Sequence, residues 1–165
     1  MGDFADTLVR VMQLHARYCD AILREDAEAF GDCFAENVEW RHPGVIMRGR
    51  ADVVRAIERT FANAKFMHIQ FDTPMLNIAS DGQISARTYM TERCAWRDSR
   101  TDFVVGRYFE RYERDGEDLR FSWRLWQGLY KGAPDLSGTF YAAEGYGRPP
   151  AMPGPDQVPD PAIVE

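Results

Sequence analysis

In three segments of the first 64 positions, apolar residues recur every three or four residues, the spacing of amphipathic α-helices. The pattern predicts a long helix over 4–24, a short helix over about 26–35 and a third helix over 50–64. Asp26 is the expected N-cap of the second helix, because its short carboxylate can accept from free backbone N–H groups. One face of the first helix carries Leu8, Val11, His15, Tyr18, Cys19 and Ile22.

The remainder of the domain follows the alternating pattern of β-strands. A short strand over 38–42 ends at Pro43-Gly44, and Asp115-Gly116 is typical of a hairpin turn. On the last strand, Phe121, Trp123, Leu125 and Leu129 alternate and are expected to share one face. The later strands are predicted over 66–71, 74–79, 83–97, 101–114 and 119–130. Helices followed by an antiparallel meander indicate an α+β fold, and such long strands favour a sheet that curls around the helices.

The composition changes at Lys131, since seven of the nine prolines lie at or after Pro134. The sequence therefore divides into a folded domain over 1–130 and a Pro/Gly-rich tail over 131–165. Two interpretations of the tail stay open. It is either disordered, or it packs back as a lid over a pocket or as an arm on a partner subunit. The aromatic residues available for such packing are Phe140, Tyr141 and Tyr146.

Charge and composition restrict the classes of partner. The formal net charge of −6 argues against a basic face for nucleic acid. No apolar run reaches the ~18 residues of a membrane span. Three scattered cysteines and an acidic N-terminus without a signal-peptide pattern lead us to expect a cytoplasmic protein. Aromatic residues make up 13% of the chain, which is enough to fill a core and line a pocket.

Four sequence segments and their order along the chain resemble the SnoaL-like branch of the nuclear transport factor 2-like superfamily. They are YCDAILREDAEAFGDCFAENVEW at 18–40, GRADVVRAIERTF at 49–61, KFMHIQF at 65–71 and GRYFERYERDGEDLRFSWRL at 106–125. The resemblance implies a cone-shaped α+β barrel, in which a strongly bent, mixed or antiparallel sheet wraps a long first helix around a pocket. Members include scytalone dehydratase, ketosteroid isomerase and bile-acid dehydratase, and the catalytic members mostly act without metal or cofactor.

The resemblance also implies candidate catalytic residues. His68 matches the family's catalytic histidine, Tyr18 a catalytic tyrosine of some dehydratases, and His42 the position of the general base of ketosteroid isomerase. The chain departs from the family where Leu23 stands in place of the aspartate that pairs with the histidine. Either another residue orients His68, or the chemistry differs.

The residues themselves support acid–base chemistry, because histidine exchanges protons near neutral pH. His15, His42 and His68 all fall on faces expected to point inward. We expect His68 to act as the base, Tyr18 and His42 to donate protons, and His15 to orient or share the proton. The alternative is that these are ordinary buried core residues.

Four further residues are candidates for substrate binding: Arg107, Tyr89, Trp40 and Phe109. For Arg107 the alternative is a solvated or ion-paired strand residue, and for the aromatics it is sheet core. No two histidines have close ligand spacing, so the sequence predicts no metal site.

Together these features predict a cofactor-independent lyase or isomerase. It would catalyse dehydration, elimination or retro-aldol loss on a hydrophobic, aromatic or polycyclic small molecule. The alternative is a non-catalytic ligand-binding or structural subunit resembling the β subunit of a ring-hydroxylating dioxygenase. The resemblance further implies a homodimer or homotrimer.

Overall fold

Three helices lie in the first 63 residues, and the first and third of them follow the sequence pattern closely. The computed structural model describes residues 4–158 and 163–164. Its helices are α1 (Phe4–Leu23), α2 (Ala27–Gly31) and α3 (Arg50–Asn63). Asp26 caps α2 as expected, because its Oδ1 accepts from the backbone N–H of Ala29 at 2.9 Å. None of the described helices is long and apolar enough to cross a membrane.

Helix α2 is shorter than predicted because α3 packs directly against its last residue. A Cβ atom on Gly31 would lie only 2.7 Å from Cγ2 of Val54 on α3, so the glycine permits this close approach. The chain then enters the first strand at Phe34, four residues earlier than the pattern indicated.

Nine strands in the described residues form one curved sheet. The order of the main strands is β2-β1-β7-β6-β5-β3, with β4 paired to β5, β8 to β7 and β9 to β8. Strand β1 runs parallel to β7, and the other pairs are antiparallel, so the α+β prediction is confirmed. The strands are β1 (Phe34–His42), β2 (Val45–Arg48), β3 (Ala64–Phe71), β4 (Met75–Ile78), β5 (Ile84–Trp96), β6 (Thr101–Asp115), β7 (Asp118–Gly132), β8 (Thr139–Tyr141) and β9 (Ile163–Val164).

A one-residue β-bulge at Ser122 decides which side chains of β7 point inward. Tyr112 of β6 pairs with Phe121, but the neighbouring Arg111 pairs with Trp123, so Ser122 is the extra residue. Such a bulge reverses the alternation of the strand. Phe121 therefore joins the main core, whereas Trp123 and Leu125 pack on the outer face. The prediction that these residues share one face is wrong for this reason, and a second register slip follows at Leu129.

The described part of the tail packs on the outer face of the sheet. The ring of Tyr146 meets Phe109 edge to face, with centroids 4.9 Å apart. The buried side chains of Arg87 and Arg107 donate to the backbone carbonyls of Gly147 and Glu144, respectively. These contacts support the packing interpretation, and they lie on the surface that faces away from the helices.

Replacing Tyr146 by Ala should lower the free energy of unfolding by about 1–2 kcal/mol, because an aromatic contact and a half-buried ring are lost. Urea denaturation followed by tryptophan fluorescence measures the change. Val158→Ala is the control, since Val158 is exposed and its truncation should change stability by less than about 0.5 kcal/mol. Equal stability of the two variants would contradict this packing.

Candidate active site

A cavity of about 550 Å³ lies between α1, α3 and the inner face of the sheet. It is lined mainly by apolar and aromatic side chains with a few polar groups among them, which is typical of sites for small molecules. Its lining residues include Tyr18, Ile22, Trp40, His42, Met47, Ile57, Met67, Ile69, Glu92, Trp96 and Tyr108.

Arg124 lies behind the cavity wall as a fully buried cation. The bulge at Ser122 turns it inward, where its Nη2 lies 2.8 Å and its Nε 3.0 Å from Oε1 of Glu110. Its guanidinium carbon is 3.7 Å from the ring centre of Tyr108 and 4.8 Å from that of Tyr18. Aromatic faces stabilise cations, so the surrounding rings and one carboxylate together hold this charge out of water.

Glu110 connects this cation to three further side chains. Its Oε2 lies 2.9 Å from Nε2 of His15 and accepts from the hydroxyls of Thr88 at 3.1 Å and Tyr112 at 2.6 Å. Burial alone raises the pKa of the carboxyl, but His15 and Arg124 outweigh it and bring the pKa of Glu110 to about 2. Glu110 is therefore a fixed anion and has no proton to exchange near neutral pH.

Two tyrosine hydroxyls supply hydrogen-bond donors to the cavity. Burial raises the pKa of Tyr18 to about 12, although the charge of Arg124 opposes the shift. Burial also raises the pKa of Tyr108 well above its ordinary value, with a smaller contribution from a hydrogen bond to Tyr18. Both phenols stay protonated near neutral pH, and the nearby cation favours negative charge developing beside them.

Glu92 is a carboxyl group with a proton affinity suited to neutral pH. It lines the cavity from β5, and no described residue forms a hydrogen bond or an ion pair with it. Burial, followed by the charge of Asp102, raises its pKa to about 7, and Lys131 opposes this shift. Glu92 was not among the site residues predicted from the sequence. The available signal was its position on the apolar face of β5, between Met90 and Cys94.

His42 forms part of the aromatic wall. Its ring stacks on Trp126 with centroids 5.3 Å apart. The indole lies flat over Gly106 and Gly128, where a Cβ atom would come within 2.9 Å of it. Burial and the charge of Arg124 lower the pKa of His42 to about 3, so the imidazole is neutral. No described residue hydrogen-bonds to its ring nitrogens.

The structure brings together three of the residues predicted from sequence, because Tyr18, His42 and Trp40 line the same cavity. It does not bring the three histidines together. His15 and His68 line a separate cleft of about 310 Å³ between α1 and β3. Strand alternation explains the position of His68, because its neighbours Met67 and Ile69 take the cavity side of β3.

Three predicted substrate-binding residues lie on the outer face of the sheet instead. The Nε of Arg107 donates to Oε1 of Gln127 at 2.7 Å, and Phe109 packs against Tyr146. Tyr89 stands opposite Arg107 in the strand register and shares its face. Periodicity identified the alternation of β5 and β6 but could not say which face was inside. In the described residues no group of three or more His, Cys, Asp or Glu side chains is arranged to hold a metal ion.

Solved structures of several proteins share this fold. A putative scytalone dehydratase from Novosphingobium aromaticivorans has a TM-score of 0.73 at 14% identity, over 79% of this chain and 91% of that one. A putative aromatic ring hydroxylase from the same species has a TM-score of 0.70 at 20% identity, over 78% and 92%. A type 2 hexachlorocyclohexane dehydrochlorinase has a TM-score of 0.71 at 13% identity, over 87% and 99%.

At these identities the likeness shows the fold alone. No curated protein matches the sequence significantly. The profile of the SnoaL-like domain, however, matches residues 5–127, which is well over half of the chain and includes both walls of the cavity. The chain therefore belongs to the SnoaL-like domain family.

Proposed function

We propose that the chain is a cofactor-independent lyase or isomerase that moves a proton on a hydrophobic, aromatic or polycyclic small molecule in the 550 Å³ cavity. The observation that carries the proposal is the combination of an unpaired carboxyl group, Glu92, and two protonated phenols in one aromatic-lined space. Structural neighbours named as a dehydratase and a dehydrochlorinase are consistent with elimination chemistry.

Glu92 is the proposed general base in place of His68, which lies outside the cavity. General bases work best when their pKa is near the operating pH, and the pKa of Glu92 is about 7. The carboxylate takes a proton from a substrate carbon next to a carbonyl group. In isomerisation the same carboxyl group returns the proton to another carbon. In elimination it returns the proton to the departing hydroxyl, which leaves as water.

Tyr18 and Tyr108 are the proposed donors to the substrate oxygen that becomes negatively charged. Both rings are buried against Arg124, which supports the charge from behind. Preorganised donors of this kind contribute strongly, because little solvent must reorganise during the reaction. His42 and Trp40 provide flat walls, and the neutral imidazole of His42 can orient a polar substituent.

Replacing Tyr18 by Phe tests this proposal, because the change removes one hydroxyl and keeps the ring. The assay offers aromatic and polycyclic β-hydroxy carbonyl compounds in EDTA-containing buffer and follows their absorbance and chromatographic retention. The wild type should turn over at least one of these compounds. Its kcat should fall by about 10²–10³-fold in Tyr18→Phe, as for other lost oxyanion donors.

Tyr89→Phe is the matched control, since Tyr89 lies on the outer face and its loss should leave kcat unchanged. An equal decrease in both variants would contradict the assignment of the cavity as the active site. A compound that binds stoichiometrically to the cavity and is never converted would favour the alternative of a non-catalytic binding subunit.

A further inference from the structure

The cleft between α1 and β3 is a second concave site with its own polar chemistry. Met12, His15, Ala16 and Cys19 of α1 form one wall, and residues 68–74 form the other. Ile69 lines both spaces and stands between the cleft and the cavity. The cleft is open to solvent, because residues on its rim are exposed, among them Met12, Gln70 and Asp72.

His15 is held in this cleft by a buried carboxylate. Its Nε2 lies 2.9 Å from Oε2 of Glu110, and both side chains are almost completely buried. Because Glu110 is an anion, Nε2 carries the hydrogen of this bond. In the neutral imidazole the other nitrogen, Nδ1, is then an acceptor. No described residue donates to Nδ1. The ring is fixed further by stacking on Phe71, with centroids 4.4 Å apart.

We infer that the cleft binds a small neutral phenol whose hydroxyl donates to Nδ1 of His15. An acceptor nitrogen requires an O–H or N–H donor from its ligand. The stacked imidazole and Phe71, with Met12, Ala16 and Pro74 alongside, favour a flat apolar ring. The carboxylates of Glu110 and Asp72 disfavour a ligand that enters with a net negative charge, so a neutral phenol is preferred to a carboxylate.

The arrangement also allows proton transfer from the bound phenol. The O–H proton moves to Nδ1, which leaves a phenolate in the cleft and an imidazolium on His15. The Glu110 carboxylate stabilises that imidazolium through Nε2, as a buried acid does in a carboxylate–histidine pair. Glu110 itself keeps its ion pair with Arg124 throughout. This inference is independent of the function proposed for the cavity.

Imidazole nitrogen NMR tests the inference on the intact protein, because the chain has only three histidines. The probe is 4-nitrophenol in a buffer below its own pKa, so that it is added as the neutral phenol and its visible absorbance reports any ionisation. His15→Gln, His42→Gln and His68→Gln assign the signals. In the wild type, Nε2 of His15 should be protonated and Nδ1 should not. Adding the phenol should shift the Nδ1 signal of His15 and leave His42 unchanged.

Variants separate the cleft from the cavity. Binding of 4-nitrophenol should weaken at least tenfold in His15→Gln and persist in Tyr18→Phe, whose change lies in the cavity. Benzoate should bind at least tenfold more weakly than the phenol. A shift confined to His42, a protonated Nδ1 on free His15, or equal binding of benzoate would each overturn the inference. Loss of turnover in Tyr18→Phe with unchanged phenol binding would support both sites separately.

Discussion

Glu92→Gln is expected to remove nearly all activity and, at the same time, to stabilise the protein at pH 8. Activity should fall by about 10²–10⁴-fold, the usual contribution of a general base, because the amide cannot accept the proton. Stability should rise by about 2–3 kcal/mol, because the variant no longer carries a half-buried charge without a partner. A loss of function that comes with a gain in stability is characteristic of a residue kept for chemistry.

The pH dependence of both effects follows from the raised pKa of Glu92, which moves from an ordinary 4.5 to about 7. Between these pH values the folded protein holds a proton that the unfolded chain releases. Stability contributed by this group is therefore fully present below about pH 4.5 and lost as the pH rises through 7. The stability gain in Glu92→Gln should be absent at pH 4.5 and complete at pH 8, while wild-type activity rises through about pH 7.

Urea unfolding at pH 4.5 and pH 8, together with a pH–rate profile, measures these effects. Glu113→Gln is the matched control because Glu113 is exposed on β6, so neither stability nor activity should change appreciably. An inactive Glu92→Gln protein whose stability does not change at pH 8 would show that the carboxylate is solvated, and would remove the physical basis for a pKa near 7.

Local patterns predicted most of the fold. The periods of α1 and α3 and the alternation of β5 and β6 depend on near neighbours in sequence, and the structure confirms these elements. The short strand β2 was missed. It is only four residues long, and its partner in the hairpin, β1, supplies much of its stabilisation. The resemblance to SnoaL-like proteins, which rests on four sequence segments and their order, is confirmed by the match over residues 5–127.

The site was harder to predict because it depends on which face of each strand points inward. On β3 a difference of one residue separates the cavity side of Met67 from His68. On β7 the bulge at Ser122 turns Arg124 inward, and an alternation count made without the bulge cannot place both Phe121 and Arg124 on the inner face. A lone acidic residue on an apolar strand face, as at Glu92, is the signal that sequence reasoning could have used.

Arg124→Met is expected to produce the largest loss of stability, about 3–5 kcal/mol, because it leaves the carboxylate of Glu110 buried without its main cation. Methionine fills similar volume, so the effect reports the charge more than a cavity. Replacing both members, in Arg124→Met/Glu110→Gln, should cost clearly less than the sum of the two single changes, since no unpaired charge remains. Urea denaturation at pH 7 of the four proteins of this double-mutant cycle measures the coupling.

The decrease of the free energy of unfolding at acidic pH provides the second test of this ion pair. The pKa of Glu110 is lowered from 4.5 to about 2, so its stabilising contribution is present above pH 4.5 and lost as the pH falls towards 2. In Arg124→Met only His15 and the hydroxyls still hold the anion, and the loss should begin at higher pH. Arg111→Met is the control, because Arg111 contacts Trp123 on the outer face and has no carboxylate partner among the described residues. If Arg124→Met loses no more stability than Arg111→Met and shows the same pH dependence in acid as the wild type, the anion of Glu110 is not held by Arg124. The charge that supports Tyr18 and Tyr108 must then be reassigned.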